Sequence, residues 1–482
     1  MTTIIVKDQD PYGHGIGGWL GHVGAVLGGL PGTYRRELKL HRRRTVGLTV
    51  LVVLLVTYPL LNKAFLAEFS RTVFPLPLPD DTVVTFMMIF GIMAIGLNIV
   101  AGFAGLLDLG YVAFYALGAY TAAFLASSHW GSVSIVFLAN VAPGFPGIHM
   151  PFWIIVPLAI LVAGTFGALL GAPTLRLRGD YLAIVTLGFG EIVPVVFRNL
   201  ADVTFNFNLG PISIAAQHLN LTGGSLGINP IDAPFLPFAD ITFNASAGYA
   251  PVYLGMFLLV IAILFARNLE RSRIGRAWMA IREDELAAEM MGVNTIRTKL
   301  LAFALGASFA GVAGSLQASY LGATTSDFFT FSTSILVLIM VILGGIGNIW
   351  GVLLGAIALT YVDKTFLPYL GQQVQQIAPS FPNPAQFNFL LFGVILVAMM
   401  RFRPEGFLPN RQRAAELAGA HTQAEVEAKV DEIVAVDAEA EVEASIGEDP
   451  SIGLDNLGPP PGQAEASGDA RSAETTDEAK DL

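Results

Sequence analysis

Apolar residues run along this chain in long blocks separated by short polar or glycine-rich breaks. Crossing about 30 Å of hydrocarbon takes roughly 20 helical residues. Ten blocks approach that length, near 46–61, 83–100, 109–127, 152–172, 180–197, 249–266, 300–319, 333–346, 349–363 and 386–402. The pattern predicts an all-α polytopic membrane protein of about ten transmembrane helices. The first, eighth and ninth blocks are short, which leaves eight to ten crossings open. Three regions follow: an N-terminal arm over 1–45, a transmembrane domain over 46–410 and a tail over 411–482. The first block begins only after some 45 residues, and no small-residue cleavage pattern follows it, so no cleavable signal peptide is expected.

Composition strengthens this picture. Of 482 residues, 54% are hydrophobic and 13% charged, about half the charged fraction of an ordinary soluble domain at roughly 25%. A water-soluble globular protein is excluded. The absence of cysteine removes disulfides, thiolate metal sites and cysteine nucleophiles. The net charge of -11 is concentrated in the tail, which holds 18 acidic and 5 basic side chains. The first 410 residues carry 22 basic against 20 acidic groups, a balance of +2.

Lys and Arg remain on the cytoplasmic side of short loops. Arg35, Arg36, Lys39, Arg42, Arg43 and Arg44 precede the first block, placing the N-terminus inside. The segment 267–299 is equally basic, with Arg271, Arg273, Arg276, Arg282, Arg297 and Lys299 among its residues. Arg401, Arg403, Arg411 and Arg413 follow the last block, so the C-terminus is expected inside as well. Residues 199–248 contain neither Lys nor Arg, and 320–332 carry Asp327 as their one charge. Both segments read as external. Ten crossings satisfy all of these assignments.

Glycine, at 51 residues, recurs inside the apolar blocks. In lipid, small residues let helices approach where hydrophobicity gives no drive; glycines also break helices that line transport paths. No Walker A, His-Glu-x-x-His or Gly-x-Ser-x-Gly motif is present, and the seven histidines have no metal-ligand spacing. No catalytic residue and no metal site is expected. One carboxylate, Glu191, lies inside an apolar block, at a cost of about 2.5–3.5 kcal/mol on insertion scales unless it faces a partner or cavity. It is a candidate for a solute path, with structural pairing as the alternative. The segment around 276–292 has helical density, with Glu283, Asp284 and Glu285 followed by Leu286, Met290 and Val293 on an apolar face. It reads as a short docking helix or a membrane-surface connector.

Four stretches carry a resemblance. Ala287-Ala-Glu-Met-Met-Gly292 is similar to the coupling loop of ATP-binding cassette (ABC) importer permeases. Gly96–Thr121, Leu177–Ile192, Gly275–Gly314 and Leu343–Gly355 resemble the branched-chain amino acid permease family, above all its M-type subunit. The likeness spans roughly 84–405. It implies a fold of the ABC importer permease type with cytoplasmic tails, in the bacterial plasma (inner) membrane. It further implies a second related permease, two cytoplasmic ATPases and an external substrate-binding protein as partners. ATP would be used by those partners, with no cofactor on this chain and no nucleic acid involved. Gly102, Gly105, Asp108 and Tyr111 would lie near the path together with Glu191. Arg282, Glu285, Ala287, Ala288, Met290 and Gly292 would couple to the ATPase.

Two other readings remain open: a urea or small-amide ABC permease, and a self-sufficient secondary transporter or channel using Glu191. In the tail, Val426, Val430, Ile433 and Val436 fall at amphipathic-helix spacing. Beyond Gly447 the composition is that of a disordered segment.

Overall fold

The structure is a computed structural model, and it describes residues 77–131, 134–137, 145–174, 180–209, 212–236, 241–245, 248–377, 387–403 and 406–408. The first apolar block, the N-terminal arm and the acidic tail lie outside the described residues.

Helix α1 (Asp81–Leu97) begins where the Asp80 carboxylate accepts the Val83 N–H at 2.8 Å, a cap typically worth about 1 kcal/mol. It continues into a π-helical turn, Asn98–Phe103. Together they make 23 residues, about 34 Å of helix. Helix α2 (Val112–Leu125) follows, then α3 (Phe152–Thr174), α4 (Asp180–Asn199) and α5 (Ala250–Arg271). Two short helices, α6 (Arg273–Glu283) and α7 (Glu285–Met290), precede the longest one, α8 (Thr295–Leu321). After α9 (Phe331–Gly344), α10 (Ile349–Tyr361) runs through a π-helical turn (Val362–Phe366) into α11 (Leu367–Ile377), and α12 (Asn388–Phe402) closes the described bundle.

Seven of these segments are long and apolar enough to cross a membrane, and α2 and α12 are shorter apolar helices. All nine coincide with expected blocks. The helix through α10 and α11 is longer than its block at 349–363 because it runs on past the polar pair that ends the apolar run. Asp363 accepts from Asn388 Nδ2 at 3.1 Å, and the Lys364 ammonium sits 4.8 Å above the Phe86 ring. Charges partnered in this way are tolerated inside a bundle.

Helix α8 is the spine, packing against α1, α2 and α3. Its contact with α2 is backbone to backbone: a methyl group at Gly118 would overlap the Gly311 carbonyl, and one at Gly314 would overlap that of Tyr115. Such small-residue contacts supply the van der Waals packing that holds membrane helices together.

Contacts sort the connections onto two ends. At the basic end, Arg282 of α6 reaches Gly102, Asn98 reaches Gly347, and Phe407 N–H donates to the Leu343 carbonyl at 2.9 Å. At the far end, Asp232 N–H donates to Ala126 and Ile231 N–H to Gly322, while Ile228 and Thr324 form a bridge. The far end also carries β structure that the apolar pattern did not indicate. Strands β1 (Ala126–Ser127), β2 (Ser134–Val136) and β3 (Gly147–His149) form a small sheet in the order β1-β3-β2. Strands β4 (Val203–Leu209) and β5 (Ile212–Leu219) pair as an antiparallel hairpin, as do β6 (Phe235–Leu236) and β7 (Ile241–Thr242). Buried His149 joins this cap to Asp232, Nδ1 to Oδ2 at 2.6 Å. Burial pushes the Asp232 carboxyl above its ordinary value, and the His149 hydrogen bond only partly offsets that.

Candidate functional site

Helix α4 exposes a face that differs from those of its neighbours. Tyr181, Ile184, Gly188, Glu191, Val195 and Arg198 recur at three- and four-residue steps, the spacing of one helix face. All but the partly covered Gly188 are exposed, and a methyl at Gly188 would meet nothing within 4 Å. Helix α5 also exposes a stripe, but of Phe257, Val260, Ile261, Leu264 and Phe265, which lipid covers at no cost. A carboxylate is not covered by lipid without penalty. The α4 face therefore requires a polar neighbour or water. At its far-end tip, Arg198 Nη2 lies 2.7 Å from Asp327 Oδ1.

The other residues expected near a path lie elsewhere in the packing: Asp108 against α4, Tyr111 against α8, and Gly102 and the exposed Gly105 at the basic end. With 14 residues, α2 is only about 21 Å long, and the connector before it alternates, with Gly105 and Leu107 exposed and Ala104, Asp108, Gly110 and Tyr111 buried. Asp108 is 2% exposed; its Oδ1 accepts the Gly110 N–H at 2.9 Å. It lines a small cavity with Thr174, Thr186, Phe189 and Phe303. Tyr111 is fully buried and donates to the Gly306 carbonyl at 2.8 Å. Gly102 is buried in the π turn, where Asn98 Oδ1 accepts from Gly347 N–H at 2.8 Å. Gly105 has φ +70°, a conformation natural to glycine, and a Cβ there would sit 2.6 Å from Arg282 Cγ. Glu191 thus stands on the open face of α4 with Asp108 on the buried side of the same helix, while Tyr111 packs on α8 and Gly102 and Gly105 sit at the basic end.

The segment expected to couple is also divided. Ser272 caps α6, accepting the Gly275 N–H at 3.1 Å. Trp278 is wholly buried and donates to the Thr298 carbonyl at 2.6 Å, locking α6 onto α8. Asp284 caps α7 through the Ala287 N–H at 3.0 Å. Glu285 pairs with Lys299 at 2.5 Å, and Ala288 is buried. Met290 and Met291 are 84% and 85% exposed, with Leu286 beside them and Ile296 at the start of α8 also exposed. Ala287 is exposed too, and Gly292 turns the chain at φ +88°. Arg282 turns into the bundle, its Nη1 2.6 Å from the Gly102 carbonyl.

Sequence reasoning missed Asn98, Thr186, Gly188 and Arg198. Gly188 and Arg198 share the helical spacing of Glu191 and could have been found from it. Asn98, a polar residue deep in an apolar block, carried a signal of its own. Thr186 had none. Among the described residues, no cluster of three or more His, Cys, Asp or Glu could hold a metal ion.

The arrangement is that of a multi-pass, all-α membrane permease: a glycine-packed bundle with one charged open face and an exposed apolar segment at its basic end. Residues 81–400 match the family described as branched-chain amino acid transport system / permease component, and the chain belongs to that family. It is 36% identical over 362 residues to the high-affinity branched-chain amino acid transport system permease protein LivM of Salmonella typhimurium, covering 71% of this chain and 73% of the relative. LivM of Escherichia coli is similar to the same extent. LivH of Salmonella typhimurium, a permease protein of the same kind of system, is 24% identical over 67% of this chain and 92% of its own length. No solved structure matches. The M-type resemblance is thereby supported.

Proposed function

We propose that this chain forms one half of the translocation path of an ATP-driven importer for branched-chain amino acids. The observation that carries the reading is the open face of α4. It presents Glu191 and Gly188 within the span, where the exposed stripe of α5 from Phe257 to Phe265 is apolar and turns polar only at Asn268 and Arg271 at its basic end, so α4 borders a polar space rather than lipid. That space is closed by a second, related permease. The support for a pair is that the chain is similar both to LivM and to LivH, permease proteins whose names cite the same high-affinity system.

The basic end faces the cytoplasm, by the retention of Lys and Arg there. Leu286, Met290, Met291 and Ile296 form its apolar contact for a cytoplasmic ATPase, since exposed apolar clusters of this kind mark interaction sites. ATP is bound and hydrolysed by that partner, and an external binding protein delivers the solute at the far end. Closure of the ATPases then shifts the path between outward and inward access as rigid bodies.

The test is purification of the full chain, tagged after residue 482, from its native membrane. Recovery of a second permease, ATPase subunits and a binding protein loaded with leucine, isoleucine or valine is expected. A binding protein loaded with urea would move the substrate to small amides. Recovery of this chain alone, still moving solute in liposomes, would overturn the importer reading and favour a carrier using Glu191.

A further inference from the structure

Arg282 stands apart from the exposed segment that carries it. Residues 283–287 are all exposed, whereas Arg282 is half-buried and turned into the bundle. Its guanidinium donates to the carbonyl of Gly102 at 2.6 Å, in the π-helical turn that ends α1. Its stem lies against Gly105, where a single methyl group would come within 2.6 Å of Cγ. The other side of the π turn is pinned elsewhere, by Asn98 Oδ1 on the Gly347 N–H.

The connector that begins at Gly105 ends on α4. Leu109 N–H donates to Thr186 Oγ1 at 3.1 Å. Gly110 packs directly on the α4 backbone: a methyl there would overlap the Thr186 carbonyl, and one at Gly190 would approach the Gly110 Cα to 3.0 Å. Thr186 and Gly190 lie two residues either side of Gly188, and Gly190 directly precedes Glu191 on the same helix. An unbroken series of contacts therefore runs from the segment at the basic end, through Arg282, the π turn and the connector, to the buried side of α4, behind its open face. A π turn inside a helix marks a point where the backbone ladder is already irregular, which suits a joint held at Asn98 and driven at Gly102.

We infer that the strap formed by Arg282 and residues 102–110 transmits movement of the α6–α7 segment to the path face of α4, with Arg282 as its positioning residue. The inference rests on the importer reading above. Contact continuity is a physical route, and coupling along it is what must be measured.

The chain has no cysteine, so Gly188→Cys gives a single thiol on the open face of α4, at a position with room for it. The full complex carrying Gly188→Cys is reconstituted, and its labelling rate with a membrane-impermeant maleimide is compared between nucleotide-free and ATP-trapped states. A rate that changes with nucleotide is expected; an unchanged rate in this parent chain would sink the path assignment of α4 itself. In the Arg282→Met chain, which keeps an apolar stem without the donor, the nucleotide-dependent change should shrink by about fivefold or more, the lower range of allosteric coupling. Solute moved per ATP hydrolysed should fall with it. Arg282→Lys, which restores a donor, should recover both. The same nucleotide-dependent change in Arg282→Met as in the parent would overturn the strap while leaving the importer reading intact. Should Arg282→Met fail to assemble, Thr186→Val leaves α6 untouched, removes the acceptor for the Leu109 N–H, and is judged by the same two outcomes.

Discussion

Helices α4 and α5 are both apolar, both long enough to span, and both poorly covered by the rest of the chain, with 28% and 44% of their central windows buried. Their open faces differ in kind. On α5 the face is Phe257, Val260, Ile261, Leu264 and Phe265, apolar through the span, with Asn268 and Arg271 only at its basic end. On α4 it carries a carboxylate, an unfilled glycine position and a terminal Arg198–Asp327 pair. The same exposure thus has two meanings in a membrane protein, and the polar content of the stripe separates them: lipid for α5, a polar partner or path for α4.

A bulky residue on each stripe is the strongest way to break this comparison. Gly188→Trp fills the open side of α4 and should lower ATP-driven uptake by at least about tenfold, as expected for a side chain placed in a transport path. Val260→Trp on α5 should change uptake by less than about twofold, because surface substitutions away from special features cost within about 0.5 kcal/mol. Equal effects from the two variants, measured as initial uptake rates at matched expression, would erase the distinction.

At the basic end, Met290→Asp with Gly292→Trp puts a charge into the exposed apolar cluster and a side chain at φ +88°. Loss of a contact of hot-spot size, about 2 kcal/mol, would weaken ATPase association roughly 30-fold. Co-purification of the ATPase reads this directly. Glu191→Gln sharpens the comparison differently. In an ATP-driven importer it should reduce uptake by less than about tenfold and leave its pH profile unchanged, because no proton cycles through the carboxyl. A carrier working through Glu191 would instead lose its pH dependence.

The smallest expected effect lies in the far-end cap. The folded carboxyl of Asp232 is raised above its ordinary 3.8 by burial. Its contribution to stability is therefore fully present below that value and is lost as pH rises through the raised one. Asp232→Asn should flatten the fall of Tm as pH rises above the ordinary carboxyl value of 3.8, relative to the parent. A steeper dependence in the variant would reverse the assigned sign.

Much of the bundle was legible before any coordinates. Nine helices lie where apolar blocks of spanning length predict them, because in lipid a backbone must satisfy its own hydrogen bonds and length follows from thickness. The helix through α10 and α11 was underestimated at Asp363 and Lys364, where hydropathy falls but partners on α1 and α12 keep the helix intact. The strands of the far-end cap were not legible: the β1-β3-β2 sheet joins segments apart in the chain, such as Ala126 with His149, and the local β4–β5 and β6–β7 pairs lie in a segment read only as an external loop. At the site, Glu191 announced itself as a lone carboxylate in an apolar block. Asp108 was read on resemblance alone as near the path, and only the fold shows it tucked behind α4 on the Gly110 N–H. Arg282 was grouped with its exposed neighbours because helical density at 276–292 does not reveal which side chain turns inward. That direction depends on the π turn and on Gly105, 177 residues earlier in the chain.

The central claim is that this chain is half of a path and derives its energy from a partner. The most direct measurement is solute uptake into proteoliposomes by the purified chain alone and by the chain with its co-purified permease, ATPases and binding protein. Leucine and urea are compared, each with ATP and without. The account predicts leucine uptake that requires both ATP and the full set of subunits, and no uptake by the chain alone. Uptake by the chain alone, driven by a proton or ion gradient and lost in Glu191→Gln, would contradict it.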